Sequence, residues 1–420
     1  MKKSLFAIAA VTAFAGAAQA QSSVTVYGIL DVGYIGASSR VSDSTYTATN
    51  GSVKKTVNQF GQSAETSSRL GFKGTEDLGG GTSAFFTAEF ALAPNDQTLS
   101  GNTAAGLSNR QTFVGLKKNG IGQLAIGTQY TTVFNALAAT DPGQTNNMVG
   151  SVIYPNISNG ASTTDLGNNT ALTPRTSNTL SVKSDKFAGF TASAFATLNN
   201  KNTTVINATS TGGGNTNASG WGLGADYAIQ KFYVAAAYQS LKQLTTATNQ
   251  GVVVGANGAV PSAWNQAQAS GATTAPVSAN GATNTTDNQL FVGATYDFGI
   301  LKAYGNYTSR KVTATASSNY YLKRSAEQIG VRSYITPTVE GWASIGLGRY
   351  TEFGSGTPTQ NFNAWQLGSN YYLSKRTNLY AIYGQTLASN GSGTFTSGST
   401  TVSTRSSGIS NYAIGVRHTF

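Results

Sequence analysis

Segments of about ten residues in which apolar and polar side chains alternate recur along nearly the whole chain. The first, SVTVYGILDVGYIG (residues 23–36), sets Val24 and Val26 on one face and Thr25 and Asp31 on the other. A period of two fits an extended strand, whose successive side chains point to opposite faces, and does not fit a helix. Strands of this length with one apolar and one polar face are typical of transmembrane barrels, which expose the apolar face to lipid.

Sixteen such segments can be counted, an even number, and short turns alternate with longer polar connections. Asn119-Gly120 joins two of the segments, and Asn-Gly in that position is a strong hairpin signal. The longer connections include residues 199–220 and 243–287. An open sheet of this size would expose unpaired backbone groups to lipid, so the first and last strands should pair. We therefore predict an all-β fold, a 16-stranded antiparallel transmembrane β-barrel; a soluble all-β domain is the alternative.

The first twenty residues have the features of a secretory signal peptide. A basic start, MKK, precedes an apolar stretch, and Ala18-Gln19-Ala20 supplies the small residues of a cleavage site. The apolar stretch is too short for the competing interpretation, a membrane-spanning anchor. We predict a signal peptide at residues 1–20 and a single barrel domain at residues 21–420. Removal of the two lysines of the signal lowers the formal net charge from +11 to +9.

One connection, residues 130–177, is much longer than its neighbours. Loops longer than about 15 residues are usually functional or disordered. This one contains apolar residues, among them Phe134, Leu137 and Tyr154, and few charges, so we expect it to pack against the barrel. The interior of a 16-stranded barrel is too wide for its own side chains to fill. We predict that the connection is an inward-folded third loop that narrows the lumen.

Few residues offer catalytic or metal-binding chemistry. Cysteine is absent, which excludes disulfides and thiolate sites. His418 is the single histidine, and alternation places it on the outward face of the last strand, where an interfacial anchor is the simpler interpretation. The glycine runs at residues 79–81 and 212–214 lack the strand–helix context of a phosphate-binding loop. We predict no enzyme activity, no cofactor, no metal site and no nucleic-acid partner.

Six motifs follow one another along the chain: SVTVYGILDVG, SSRLGFKGTEDLGGG, NRQTFVGL, FNALAATD, RTSN and the terminal NYAIGVRHTF. In this order and spacing they resemble the Gram-negative general diffusion porins, specifically the trimeric type of β-proteobacteria. The resemblance spans essentially the whole chain. It implies a homotrimer in the outer membrane, in contact with its lipid and lipopolysaccharide, in which each barrel has a water-filled pore for small hydrophilic solutes and ions. It also implies that Phe420 serves as the outer-membrane assembly signal.

The resemblance further implies a pore constriction, with basic residues on the barrel wall opposite acids on the third loop. Carried over by motif, the wall residues are Arg69, Arg110 and Arg175. Alternation independently places Arg69 on the polar face, together with Lys73, which is nearer the turn. It places Arg110 there too if Gln111 and Phe113 face lipid. For each arginine, pairing with a loop or simple solvation is the alternative interpretation.

The sequence departs from the family pattern in two places. Thr128 stands where many relatives have an arginine, and the third loop lacks the acidic Pro-Glu-Phe-Gly segment. Asp141 is then the best candidate for the loop-side acid, although it could instead stabilise the turn before Pro142. From the positive net charge and the acid-poor loop we expect weak anion selectivity.

Two other functions stay open at this point. A substrate-specific porin would line its constriction with a saturable binding site, and a surface adhesin would lack the amphipathic closing strand. The dibasic pairs Arg310-Lys311 and Lys323-Arg324 flank a short loop. They could bind lipopolysaccharide phosphates or simply raise the potential at the rim of the pore.

Overall fold

The computed structural model describes residues 23–47, 50–100, 106–155, 171–206, 211–245, 285–314, 321–352, 359–389, 394–397, 400–403 and 406–420. These residues form nineteen β-strands and one short helix, α1 (Thr132–Thr140). The strands are β1 (Ser23–Thr47), β2 (Asn50–Gln62), β3 (Arg69–Gly79), β4 (Thr82–Ala91), β5 (Asn109–Lys118), β6 (Gly122–Tyr130), β7 (Arg175–Ser184), β8 (Phe190–Ile206), β9 (Thr211–Ile229), β10 (Phe232–Thr245), β11 (Thr285–Asp297), β12 (Lys302–Ala314), β13 (Tyr321–Thr336), β14 (Val339–Glu352), β15 (Gln360–Tyr372), β16 (Thr377–Ser389), β17 (Thr394–Ser397), β18 (Thr400–Ser403) and β19 (Ser406–Thr419). The predicted signal peptide lies outside the described residues.

Seventeen of these strands form one antiparallel sheet. β2 and β3 lie end to end on the same side of β1, because residues 32–42 pair with residues 52–62 while residues 23–29 pair with residues 69–75. These two strands therefore make one interrupted strand of the wall, and the count around the wall is sixteen. β17 and β18 form a separate hairpin. The predicted 16-stranded antiparallel β-barrel is confirmed.

The barrel closes where the two ends of the described chain meet. β1 pairs with β19 over residues 29–42 and 406–419. The last residue continues this ladder, since Phe420 and Gly28 exchange two backbone hydrogen bonds of 3.1 Å. The Phe420 ring covers Gly28, where an added side chain would overlap it. The first and last strands thus pair as the bilayer requires.

Apolar and polar side chains separate onto the two faces of the wall. In β13 the neighbours Gln328 and Ile329 are 2% and 65% exposed, and Val331 is exposed again. β1 shows the same separation, with Val26 exposed and Asp31 fully buried. Because exposed apolar residues of a transmembrane barrel contact lipid, the polar face lines the interior.

Several strands are longer than the alternation predicted. β1 extends to Thr47 and pairs with β2, a segment in which the alternation predicted no strand. β8 and β9 occupy most of residues 199–220, so the prediction of a long loop there was wrong. Alternation ends in these stretches because both faces are mostly polar, whereas the backbone ladder needs no apolar face. Of the predicted loop at 243–287, residues 246–284 lie outside the described residues.

Helix α1 follows β6 after a single residue. Thr131 caps it, since its Oγ1 accepts a hydrogen bond from the backbone N–H of Phe134 at 3.2 Å. The helix ends at Thr140, because Pro142 disfavours helical geometry at Asp141 and has no N–H to donate. In the described parts of the chain no helix is both long and apolar enough to cross a membrane.

Candidate functional site

The chain leaves the wall after Tyr130 and returns to it at Arg175, and residues 131–174 are called the long loop here. The structure describes residues 131–155 and 171–174 of it. Its first part is α1, which packs on the wall through an apolar cluster. The members of that cluster include Val133, Leu137, Ala235, Ala237 and Phe291. At the end of the helix, Asn306 on β12 donates its Nδ2–H to the Thr140 carbonyl at 3.0 Å.

Beyond α1, side chains from strands farther round the wall hold the long loop. Arg332 on β13 donates to the Pro142 carbonyl at 2.7 Å, and Gln366 on β15 donates to the Val149 carbonyl at 2.7 Å. Asn411 on β19 accepts the Val149 N–H at 3.2 Å. The wall side chains in these contacts are buried, on the face opposite the exposed apolar residues. The described part of the long loop therefore lies against the polar face of the wall from β10 to β19.

The interruption between β2 and β3 provides another contact for the long loop. There the backbone of residues 63–68 is not paired in the sheet. Asn147 uses this gap: its N–H donates to the Ala64 carbonyl at 3.0 Å, and its Nδ2 donates to the Ser63 carbonyl at 2.8 Å. The break in the second wall strand thus binds the middle of the long loop, at Asn147.

The three arginines carried over from the family motifs are brought together on β3, β5 and β7. Arg110 Nε lies 2.8 Å from Glu89 Oε1, and Arg69 Nη1 lies 3.8 Å from the same oxygen. Arg110 Nη2 donates to the hydroxyl of Tyr130 at 2.8 Å, and the Arg175 guanidinium lies 5.8 Å from the centre of the Tyr130 ring. All three arginines line one cavity of about 210 Å³ between the wall and the long loop.

Glu89 is the residue of this cluster that sequence reasoning missed. It is buried on β4 and accepts a further hydrogen bond from the Tyr27 hydroxyl at 3.1 Å. The register places Tyr27 beside Gly71 and Gly71 beside Glu89, so the three form one row on the polar face. A carboxylate inside the otherwise uncharged TSAFFTAEFA was the available signal, because an unpaired charge would not be tolerated there.

Arg110 reaches the polar face for a different reason than alternation suggested. The register skips at this point, since Glu89 pairs with Gln111 while Phe90 pairs with Asn109. Arg110 is the extra residue of a β-bulge, which re-aims a side chain. Gln111 therefore shares the face of Glu89, and Phe113 lines a cavity on the same side. The expectation that Gln111 and Phe113 face lipid was wrong.

Lys73 stands apart from the cavity. It is exposed on β3, two residues beyond Gly71 towards the short turn, and its Nζ lies 5.3 Å from the centre of the Tyr27 ring. The Tyr27 hydroxyl in turn donates to Glu89. Lys73 therefore adds positive charge on the short-turn side of the arginine cluster, but it does not line the cavity that the arginines share.

Asp141 lies outside the arginine cavity. It is buried, and its carboxylate accepts the backbone N–H groups of Gly143 and Thr145 at 3.2 and 2.7 Å. Burial raises the pKa of the Asp141 carboxyl, while these two N–H groups and Arg332 lower it. The contacts are those of a residue that stabilises the turn at Pro142, the alternative interpretation of the sequence.

The dibasic pairs divide between the interior and the surface. Arg310 is buried and its Nη2 lies 2.6 Å from Asp287 Oδ2, and Arg324 donates to the Val152 carbonyl of the long loop at 2.6 Å. Both arginines thus serve internal contacts and do not face lipopolysaccharide. Lys311 and Lys323 are neighbours across β12 and β13, and Lys323 is exposed. Among the described residues no group of three or more acidic or histidine side chains could hold a metal ion.

Comparison with known sequences identifies relatives of this chain. The Gram-negative porin family matches residues 7–391. An outer membrane porin protein of Bordetella pertussis is 36% identical over 148 residues, which are 34% of this chain and 37% of the relative. Outer membrane porin protein 32 of Delftia acidovorans is 38% identical over 151 residues, 34% of this chain and 38% of the relative. The matched stretches thus cover well under half the length of these curated relatives.

Among solved structures, an anion-selective porin from Comamonas acidovorans superposes on the chain with a TM-score of 0.64. The two sequences are 21% identical, and the superposition covers 95% of this chain and 100% of the other. At this level of identity the likeness concerns the fold, and it extends over the whole barrel.

Proposed function

From the premise that this chain belongs to the Gram-negative porin family, we propose that it forms a water-filled channel for passive diffusion of small hydrophilic solutes and ions. The chain is an outer-membrane β-barrel, and sixteen strands leave an interior wide enough for water. Porins are channels, which argues against an enzymatic function. Residues 1–20 would direct the chain to export as a signal peptide.

The long loop sets the width of this channel. Its described part occupies the polar face along β10 to β19, so the passage runs between the loop and the strands that carry the arginines. Contacts of this kind with successive wall strands would keep the loop in place against the flow of solutes.

The observation that carries the proposed selectivity is the charge at this passage. Among the described residues of this cluster, three guanidinium groups and the one carboxylate of Glu89 sum to a formal charge of +2. The Debye length is about 10 Å at about 0.1 M salt, so this charge acts across a narrow opening. Low-dielectric walls focus the field further. Weak anion selectivity follows, with Arg69, Arg110 and Arg175 as its main determinants and Lys73 as a contributor.

The proposed assembly is a homotrimer in the outer membrane. The family resemblance supports it. The similar fold of OmpT of Vibrio cholerae also supports it, because one solved structure of that protein is described as a trimer form. The pair of the half-buried Lys311 and the exposed Lys323 is the part of the predicted lipopolysaccharide contact that remains, because the adjacent arginines are buried.

The test is the zero-current potential of refolded protein in a planar bilayer across a KCl gradient. For the unaltered protein we expect a zero-current potential of the sign that chloride preference produces. The Arg69→Ala, Arg175→Ala double variant should give a smaller potential of the same sign, and its conductance should be higher. A potential of the opposite sign for the unaltered protein would contradict anion selectivity. Absence of any current from correctly folded barrels would contradict the channel itself.

A further inference from the structure

The cavity shared by the three arginines has two unlike walls. On one side are the guanidinium groups, together with the hydroxyl-bearing Thr66 and Ser67. On the other side are mainly aromatic and aliphatic side chains. They are Tyr130 at the end of β6 and, from the long loop, Phe134, Ala138, Tyr154 and Pro174, while Thr145 of the loop adds one hydroxyl to the lining. A site built for inorganic anions alone has no need of such an apolar wall, because water satisfies the rest of a small ion's surface.

The apolar wall is fixed in place by packing within the loop. Phe134 stacks on Tyr130 with ring centres 4.4 Å apart and contacts Tyr154 at 6.1 Å. Phe134 and Ala138 are four residues apart on α1 and so share one helix face. Val133 and Leu137, on the adjacent face, anchor the helix to the barrel. The orientation of the apolar wall therefore does not depend on a solute.

The charged wall is fixed as firmly. The Arg110 side chain is 4% exposed and is held by Glu89 and Tyr130, whereas that of Arg69 is 19% exposed and borders the cavity. No carboxylate is among the described residues that line the cavity. A carboxylate solute would meet guanidinium donors at the surface of the site, while Glu89, 3.8 Å from Arg69 Nη1, offsets part of their charge.

We propose that this cavity binds carboxylates that carry a single aromatic ring, with the carboxylate at Arg69 and Arg175 and the ring against Phe134 and Ala138. The inference rests on the proposed channel function and adds a solute class to it. A volume of about 210 Å³ is below the roughly 300–1,000 Å³ of pockets for drug-sized ligands, which limits the solute to about one ring.

A second cavity of about 400 Å³ on the neighbouring face of α1 serves as the internal comparison. It is lined by Asn135 and Ala139 of the helix and by Gln111 and Gln123 of the wall. Ala138 and Ala139 are adjacent and both exposed, yet Ala138 lines the arginine cavity and not the glutamine-lined one, whereas Ala139 lines the glutamine-lined cavity and not the arginine cavity. They therefore form a matched pair for mutation.

The experiment measures block of the KCl current through refolded protein in a planar bilayer. Benzoate, acetate and the neutral benzamide are titrated in separate runs at constant ionic strength. Burying one face of a phenyl ring, on the order of 50 Å² of apolar area, corresponds to about a tenfold gain in affinity. We expect benzoate to halve the current at about one tenth of the acetate concentration, and benzamide to leave it unchanged at that concentration.

Two alanine variants test where the ring binds. Ala138→Asn places an amide on the apolar wall and should raise the half-blocking benzoate concentration several-fold while leaving acetate unchanged. Ala139→Asn should leave both unchanged. Arg69→Gln should weaken benzoate and acetate alike. Heat-modifiable migration on SDS gels verifies that each variant is folded.

Equal block by benzoate and acetate would overturn the inference, as would an Ala139→Asn effect as large as that of Ala138→Asn. Block by benzamide equal to that by benzoate would overturn the role of the arginines. The zero-current potential in KCl alone is measured on the same membranes. A chloride preference combined with equal block by both anions leaves the channel function standing and removes only the binding site.

Discussion

In the proposed channel, Glu89 would determine how much of the positive charge of the arginine cluster acts on the solute. Its carboxylate holds Arg110 at 2.8 Å and lies near Arg69 at 3.8 Å, and it accepts the Tyr27 hydroxyl. A single acid among three arginines keeps the guanidinium groups from repelling one another while leaving a net positive charge. Its position also orients Arg110, whose side chain is almost wholly buried.

Glu89→Gln should therefore strengthen anion selectivity. The amide keeps the shape of the side chain but removes the negative charge, so the chloride-to-potassium permeability ratio should rise by about two- to threefold at low salt, with a smaller rise at high salt. The measurement is the zero-current potential across a KCl gradient. Glu76→Gln, at the exposed end of β3, is the control and should have little effect. An unchanged or lower ratio for Glu89→Gln would show that the carboxylate is not part of the selectivity site.

Tyr130 links the arginines to the loop. Its hydroxyl accepts the Arg110 N–H while its ring stacks on Phe134. Tyr130→Phe keeps the stack and deletes the acceptor, which should lower the free energy of unfolding by about 1.5–3 kcal/mol, the range for a hydrogen bond to a charged group. Urea unfolding of the refolded barrel measures this. Tyr383→Phe is the control, because that tyrosine packs on Trp365 and its hydroxyl bonds to no described residue. Equal destabilisation by both variants would contradict the role of the Tyr130 hydroxyl.

At the scale of elements, the long loop owes its shape to the wall. α1 has nine residues, shorter than the roughly 12–15 that an isolated helix needs to be stable in water. The segment after it has no regular structure and is fixed by polar side chains of several strands. Gln366 alone bonds to Asn146 and to the carbonyls of Met148 and Val149. Removing such contacts should release the loop without opening the barrel.

Gly384 on β16 tests how closely the loop is fitted to the wall. A Cβ at this position would overlap the carbonyl oxygen of Val149. Gly384→Ala should push the loop away from the wall, at a cost of about 1–3 kcal/mol for overpacking, and so narrow the passage. Single-channel conductance should fall. Gly408→Ala on β19, which would meet only the end of the flexible Leu387 side chain, should leave conductance unchanged. If Gly384→Ala conducts like the unaltered protein, the loop does not set the width of the passage at this point.

At the scale of the whole molecule, closure of the barrel joins residues nearly 400 positions apart. Phe420 pairs with Gly28 through two backbone hydrogen bonds, and its ring covers the glycine. The closing pair lies at the membrane-spanning wall, so an unclosed chain would expose backbone groups to lipid, each at a cost of several kcal/mol. Assembly of the barrel therefore requires the last strand of the chain to pair with the first.

Phe420→Ala should reduce the amount of folded protein in the outer membrane. The substitution removes the ring that covers Gly28 and changes the predicted assembly signal. The measurement is the heat-modifiable fraction in isolated outer membranes. Tyr412→Ala, on the same outward face of β19 and away from the terminus, is the control for a general loss of aromatic area. Normal assembly of Phe420→Ala would contradict the assembly role.

The sequence alone determined the architecture of the wall. Period-two alternation is a local property, and it sufficed to predict sixteen strands. The pairing of the first strand with the last followed from the cost of leaving open sheet edges in lipid. Alternation failed where both faces are mostly polar, as in the outer parts of β8 and β9 and in β2, because backbone pairing continues there without a regular apolar face. Arg69 was placed correctly by alternation, since β3 is regular at that residue.

Tertiary structure decided the composition of the site. Arg110 faces the interior because a bulge shifts it, which depends on the register between β4 and β5. Glu89 joins the arginines because the sheet brings β4 between them, and Asp141 is turned away from them by its own turn. Each of these outcomes depends on contacts between residues distant in sequence. Local patterns predict which face a side chain takes, whereas the charge that a solute meets depends on which side chains become neighbours when the barrel closes.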